Sequence, residues 1–203
     1  METVMDRIPI VHNRIRALLT LMLTAGLLTC MLAGCSASGA EKKVTEDLES
    51  MRYVELDKNT EEEINSMLSD QGREYFELFL SKAGEFEYEI LDSKEDTSGQ
   101  AGDSAIVTVR IRTYDFASEY LKTWTEYLEK SDPEQFDEAE LYEDLFRNLS
   151  SLSKKDYIAD AVIKCEPEDD GSWKTDAKTN KVLRDAILGG MLNEIAGLAG
   201  AGE

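Results

Sequence analysis

The sequence is poor in the side chains that most often carry chemistry in proteins. Its 203 residues include one histidine, His12, and three cysteines, Cys30, Cys35 and Cys165. A Ser-His-Asp or Cys-His catalytic arrangement needs a histidine beside its nucleophile, and the usual zinc sites also draw on histidine or several cysteines. Beyond residue 35 the chain has no histidine and one thiol. Those catalytic arrangements, an internal disulfide and a Cys-x-x-Cys pair are therefore excluded there.

Basic residues are scarce relative to acidic ones. The chain has 22 lysines and arginines against 42 aspartates and glutamates, which gives a net charge of −20. Nucleic acid would be repelled by such a surface, so we expect no nucleic-acid partner. The simplest interpretation is a solvated acidic surface. Cation binding by that surface stays open as an alternative.

The first 35 residues have the pattern of an export signal. Three arginines, Arg7, Arg14 and Arg16, precede an uncharged apolar segment at residues 17–33. This is the order of regions in a secretory signal peptide. The segment is slightly shorter than the roughly 20 residues of a membrane-spanning helix. An uncleaved helix and an ordinary secretory signal remain the alternatives.

The end of this segment, Leu32-Ala33-Gly34-Cys35, resembles the lipobox of bacterial lipoproteins. The resemblance implies that a diacylglyceryl group, carrying fatty acids such as palmitate, is attached to the Cys35 sulfur. It also implies cleavage between Gly34 and Cys35. Two or more acyl chains hold a protein stably on a bilayer. The expected location is thus the extracytoplasmic face of the cell membrane, with the membrane as partner through Cys35.

Cleavage at that position would leave 19 basic and 40 acidic residues, a net charge of −21. The remaining length suits one domain. We predict a small, polar tether at residues 35–43, a single domain at 44–196 and a flexible tail at 197–203.

Hydrophobic periodicity predicts helices and strands in alternation within that domain. A helix at 44–52 is followed by one at 60–84, which a Thr60–Glu63 capping box starts and Gln71-Gly72 interrupts. Three further helices are predicted near 115–131, at 137–152 and at 179–195. Strands are predicted at 86–90, at 105–111, near 155–166 and around Trp173, since apolar and polar residues alternate there.

The order of these elements predicts an α+β domain, in which helices pack on an antiparallel sheet of about four strands. A helical hairpin at 115–152 is inserted between strand pairs. Four segments resemble the corresponding parts of small lipoproteins of Firmicutes: the strand at 86–90, the stretch 105–115, the turn at 170–174 and the segment 187–190. That resemblance implies a curved, cystatin-like or nuclear-transport-factor-like sheet. This fold hosts enzymes and binding domains alike, so it assigns no function.

Candidate site residues are few. Tyr120 and Trp124 have helical spacing, so they are either core residues or the lining of a ligand cavity. Asp115 is either a helix cap or, with Tyr88 or Tyr114, an acid–base pair in the concavity of the sheet.

No metal site or cofactor is indicated by the sequence. The acidic stretch at 166–171 resembles a calcium loop only superficially, because Ala177 stands where the bidentate glutamate belongs. We therefore predict a lipid-anchored binding or interaction module with an unknown protein or small-molecule partner. The alternative is a small histidine-free enzyme that uses a carboxylate and a tyrosine.

Overall fold

The computed structural model describes residues 39–53, 56, 58–96, 104–130 and 137–200. The predicted signal segment, including Gly34 and Cys35, lies outside them. The described helices are α1 Gly39–Ser50, α2 Lys58–Met67, α3 Asp70–Ala83, α4 Phe116–Lys130, α5 Glu138–Ser151, α6 Lys181–Ile187 and α7 Met191–Gly200. The strands are β1 Glu87–Asp96, β2 Ser104–Thr113, β3 Tyr157–Pro167 and β4 Trp173–Thr175, and a 3₁₀ turn at Ala177–Thr179 precedes α6.

The four strands form one open antiparallel sheet. They lie in the order β1-β2-β3-β4, so each strand pairs with its neighbour along the chain. Helices α4 and α5 occupy the connection between β2 and β3. The predicted α+β class, the strand number and the inserted helical hairpin are confirmed. The likeness to cystatin-like domains stays a prediction.

The two faces of the sheet differ because side chains alternate along each strand. The inner face carries Val107, Val109 and Ile111 of β2, all fully buried. On the outer face, Arg110 forms two hydrogen bonds to Asp160 across β2 and β3, at 2.8 and 2.9 Å. The predicted inward parity of both strands is therefore confirmed.

Two helical groups cover the inner face. Helices α1 and α6 pack directly on the strands, while α3, α4 and α5 pack against one another and α7 packs on α4. The ring of Phe79 in α3 joins the three helices of the second group, with its centroid 5.3 Å from that of Phe116 in α4 and 5.7 Å from that of Phe146 in α5. One continuous apolar core results.

The helix predicted over 60–84 is two helices, and the predicted position of its interruption is wrong. Helix α2 ends at Met67 and α3 begins at Asp70. The Ser69 side chain accepts a hydrogen bond from the Gly72 N–H at 2.9 Å, which makes Ser69 the N-cap of α3. Thr60, the predicted cap, lies inside α2, whereas Gly84 ends α3 as predicted.

The helix predicted over 179–195 is also two helices. Asn180, rather than Thr179, caps α6 by accepting from the Leu183 N–H. Gly189 and Gly190 were predicted to lie within the helix. Instead they form the turn between α6 and α7 with φ of 55° and 81°.

Both ends of the domain extend further than the hydrophobic pattern predicts. Helix α1 begins at Gly39, so residues 39–43 of the predicted tether are helical, and Ala40 is fully buried. Helix α7 continues to Gly200, and Leu198 within the predicted tail packs against the core. The folded domain therefore begins four residues after Cys35.

Candidate functional site

Tyr120 and Trp124, the predicted cavity residues, lie in the core. They are 0% and 5% exposed, and their rings stack with centroids 6.4 Å apart. Burial raises the pKa of the Tyr120 hydroxyl well above its usual value. Their burial agrees with the interpretation of their helical spacing as a pattern of core residues.

Asp115 was predicted to form an acid–base pair with Tyr88 or Tyr114, but the three side chains have separate partners. The Tyr114 hydroxyl donates to Glu85 at 2.5 Å. The Tyr88 hydroxyl donates to Glu49 at 2.9 Å, and burial followed by that hydrogen bond raises the pKa of Tyr88. The Asp115 carboxylate accepts from the backbone N–H and the hydroxyl of Ser118, at 3.0 and 2.7 Å. Asp115 is therefore the cap of α4, and no acid–base pair with Tyr88 forms among the described residues.

Helix α6 carries a buried acid, Asp185, that the pattern does not reveal. Asp185 is 8% exposed and accepts from the Asn193 backbone N–H at 3.0 Å and from its side-chain amide at 2.6 Å. Loss of solvation raises the pKa of the Asp185 carboxyl. Burial, followed by the nearby charges of Asp185 and Asp115, raises the pKa of Tyr157. Because Asp185 holds the first turn of α7, its role is structural.

Cys165 is the free thiol of the described chain, and it faces the core from β3. Burial, followed by the charges of Asp176 and Asp47, raises its pKa to about 11. A nucleophilic cysteine needs a lowered pKa and solvent access. Cys165 is thus a core residue, in agreement with its predicted parity.

A cleft of about 360 Å³ lies between α2 and α3. Helix α2 contributes Glu61, Ile64 and Asn65, which share a face at helical spacing. The segment before α2 contributes Leu56. The other wall is a face of α3, made of Asp70, Arg73, Glu74, Phe76 and Glu77.

The cleft is apolar at its base and charged at its rim. Ile64 and Phe76 are 3% and 2% exposed, and partly buried Leu56 packs beside them against the core. Arg73 donates to the Asn65 side chain at 3.0 Å and also pairs with Asp70. The hydrogen bond between Arg73 and Asn65 joins the two helices across the cleft.

The rim of the cleft carries more negative than positive charge. Glu61, Glu74 and Glu77 are exposed, and none of the three carboxylates has an ion pair or hydrogen bond within the described chain. Since Asp70 pairs with Arg73, three negative charges remain uncompensated. A concave site with an apolar base and a few polar groups is the usual form of a small-molecule site.

Sequence reasoning missed this cleft. An acid such as Glu61 in the first turn of a helix is already explained by the helix dipole, so it does not indicate a cleft. The signal in the sequence is the polar spacing of Asp70, Arg73, Glu74 and Glu77 along one face of α3, next to a serine at a helix break.

No family model matches the chain, and no curated protein or solved structure is significantly similar to it. Within the described residues, no three acidic or thiol side chains are grouped closely enough to hold a metal ion. No helix in that same part of the chain is both long and apolar enough to cross a bilayer.

Proposed function

We propose that this chain is a bacterial lipoprotein, anchored through Cys35 at the extracytoplasmic face of the membrane, whose α+β domain is a binding module. The observation that carries the proposal is the tetrad Leu32-Ala33-Gly34-Cys35 at the end of an uncharged apolar segment. The tetrad puts a cysteine directly after a small residue, where lipid attachment and cleavage occur together.

The start of the fold is consistent with this proposal. Helix α1 begins at Gly39, and three residues separate it from Cys35. At roughly 3.5 Å per residue, the four steps from Cys35 to Gly39 span at most about 14 Å. A lipid on Cys35 would therefore hold the domain against the bilayer surface. Cleavage before Cys35 would remove little of the chain that the fold needs.

The cleft between α2 and α3 favours binding over catalysis. Its walls carry carboxylates and a paired arginine, whereas the predicted catalytic candidates Tyr88 and Asp115 have other partners. A binding module needs a shaped surface rather than an activated nucleophile. The cleft supplies such a surface.

Fatty-acid labelling in a bacterial host tests the anchor. The unaltered chain should incorporate a labelled palmitate analogue and appear as a shortened, membrane-bound product. Cys35→Ala should carry no label and accumulate at precursor size. Cys165→Ala removes a buried thiol of the domain and serves as the matched control, with label retained.

The anchor proposal fails if Cys35→Ala is still labelled, or if it is cleaved normally and stays on the membrane. Label on the unaltered chain that is lost in Cys165→Ala would equally count against Cys35 as the attachment residue.

A further inference from the structure

We propose that the cleft between α2 and α3 binds a small organic cation with an apolar body, such as an aralkyl amine. The proposal deepens the binding function proposed above by naming its ligand class. It is independent of the lipid anchor, because every residue that it uses lies in α2, α3 or the segment before α2.

The charge of the rim selects the sign of the ligand. The three exposed carboxylates of Glu61, Glu74 and Glu77 have no counter-charge in the described chain, whereas the charge of Arg73 is matched by Asp70. An anion would meet these carboxylates without an available cation. An ammonium or guanidinium group would instead meet carboxylate acceptors with which it forms charge-assisted hydrogen bonds.

The apolar base selects an organic rather than an inorganic cation. The base beneath the rim is apolar. Ile64 and Phe76 belong to the main core, and Leu56 packs against it. A hydrated metal ion or a fully polar polyamine gains nothing from such a base. An aromatic or alkyl group attached to the cation would cover the part of this base that reaches solvent, chiefly Leu56, because Ile64 and Phe76 are already 3% and 2% exposed.

The size of the cleft sets the size of the ligand. A volume of about 360 Å³ is at the small end of the range for ligand pockets. One ring with a short aliphatic arm fills such a volume. The arm lets the ring lie on the base while the charged group reaches the carboxylates at the rim.

Binding can be measured on the full chain reconstituted in phosphatidylcholine nanodiscs, with empty nanodiscs as the blank for partition into lipid. Three probes separate the two components of the ligand. Phenylbutylamine has both the cation and the apolar body, diaminobutane lacks the apolar body, and phenylbutyrate has the body with the opposite charge. Calorimetry gives the affinity, and the labelled methyl group of Ile64 reports whether the probe enters the cleft. The methyl group of Ile111, fully buried under the sheet, is the internal reference.

We expect saturable binding of phenylbutylamine with a shift of the Ile64 methyl resonance and none at Ile111. Binding should weaken as salt is added, because exposed charges are screened. Diaminobutane and phenylbutyrate should each bind at least ten-fold more weakly. Equal binding of diaminobutane would mean that the acidic surface attracts any cation, and equal binding of phenylbutyrate would mean that the rim has no role. Either result overturns the proposal, as does binding without an Ile64 shift.

Charge-removing variants test the rim directly. Glu74→Gln and Glu77→Gln should each weaken phenylbutylamine binding about two- to five-fold, the range for exposed ion pairs. Glu63→Gln removes the same charge from the exposed surface of α2 outside the cleft, so it should leave the affinity unchanged. Equal losses in all three variants would refute the site. If lipid labelling fails while these results hold, only the anchor is wrong; if labelling succeeds and binding is absent, only the ligand class is wrong.

Discussion

Replacing Gly189 by alanine tests the tightest backbone approach described in the fold. Gly189 has φ of 55°, and a Cβ added there would lie 2.0 Å from the Tyr114 carbonyl oxygen and 2.9 Å from the Phe116 nitrogen. Both contacts are with backbone at the junction of β2 and α4, which cannot rotate away as a side chain can. The turn between α6 and α7 must therefore move as a whole.

Two effects add in this variant. A left-handed conformation costs alanine about 1–2 kcal/mol. Displacing packed backbone adds about 1–3 kcal/mol, as for other forms of overpacking. We expect Gly189→Ala to lower the free energy of unfolding by about 2–5 kcal/mol, a large part of the 5–15 kcal/mol that is typical of domains.

Gly171→Ala is the matched control. Gly171 also has a positive φ, 82°, but an added Cβ there meets no atom within 4 Å. Its variant should lose only about 1–2 kcal/mol, from backbone strain alone. Urea unfolding of both variants, with unchanged m values, measures the difference. Equal losses would show that the approach of Gly189 to Tyr114 is not part of the folded structure.

Two further substitutions test the helix ends. Ser69→Ala should lower the free energy of unfolding by about 1 kcal/mol because it removes the N-cap of α3. Ser66→Ala removes a hydroxyl that bonds only to a carbonyl within α2, so its effect should stay below about 0.5 kcal/mol; equal urea midpoints for the two would contradict the cap. Asp185→Asn should keep one acceptor, for the Asn193 backbone N–H, and remove the buried charge. Because the pKa of Asp185 is raised in the fold, the folded state of the unaltered chain holds the proton more tightly, and stability from this group is lost as pH rises above about 4. Urea unfolding between pH 3 and 7 should therefore show a smaller fall with rising pH in Asp185→Asn, and parallel curves would refute the assignment.

The sheet and its inserted hairpin were predictable because their signals are local. The alternation of β2 and β3 follows from side chains that point to opposite faces, and it needs no knowledge of the rest of the fold. The caps at Asp115 and Asp137 were equally visible, since each accepts from an N–H two or three residues later. The capping box at Thr60–Glu63 is an equally local signal that was misread, because Thr60 lies inside α2.

The misplaced boundary at Gly189 and Gly190 depends on a contact that is distant in sequence. Gly189 and Gly190 break the last helix because α6 ends against the backbone of Tyr114, 75 residues earlier in the chain. The paired glycines permit a close approach, but nothing near them in the sequence identifies Tyr114 as the partner. The apolar pattern runs through the turn without a change of period, so it predicts one helix where the tertiary structure requires two.

The candidate cleft exists because of the other misplaced boundary. In a continuous helix, Glu61 and Glu74 would be separated by 13 residues, or about 20 Å along the axis, and no ligand of this size would reach both. The break at Ser69 turns α3 relative to α2 and brings these two residues to one cleft. Local propensity favours an interruption at Gly72. However, the Gly72 N–H is the group that the Ser69 hydroxyl binds, and this places Gly72 in the first turn of α3. The site could not be predicted until that hydrogen bond was known, because it fixes which acids face one another.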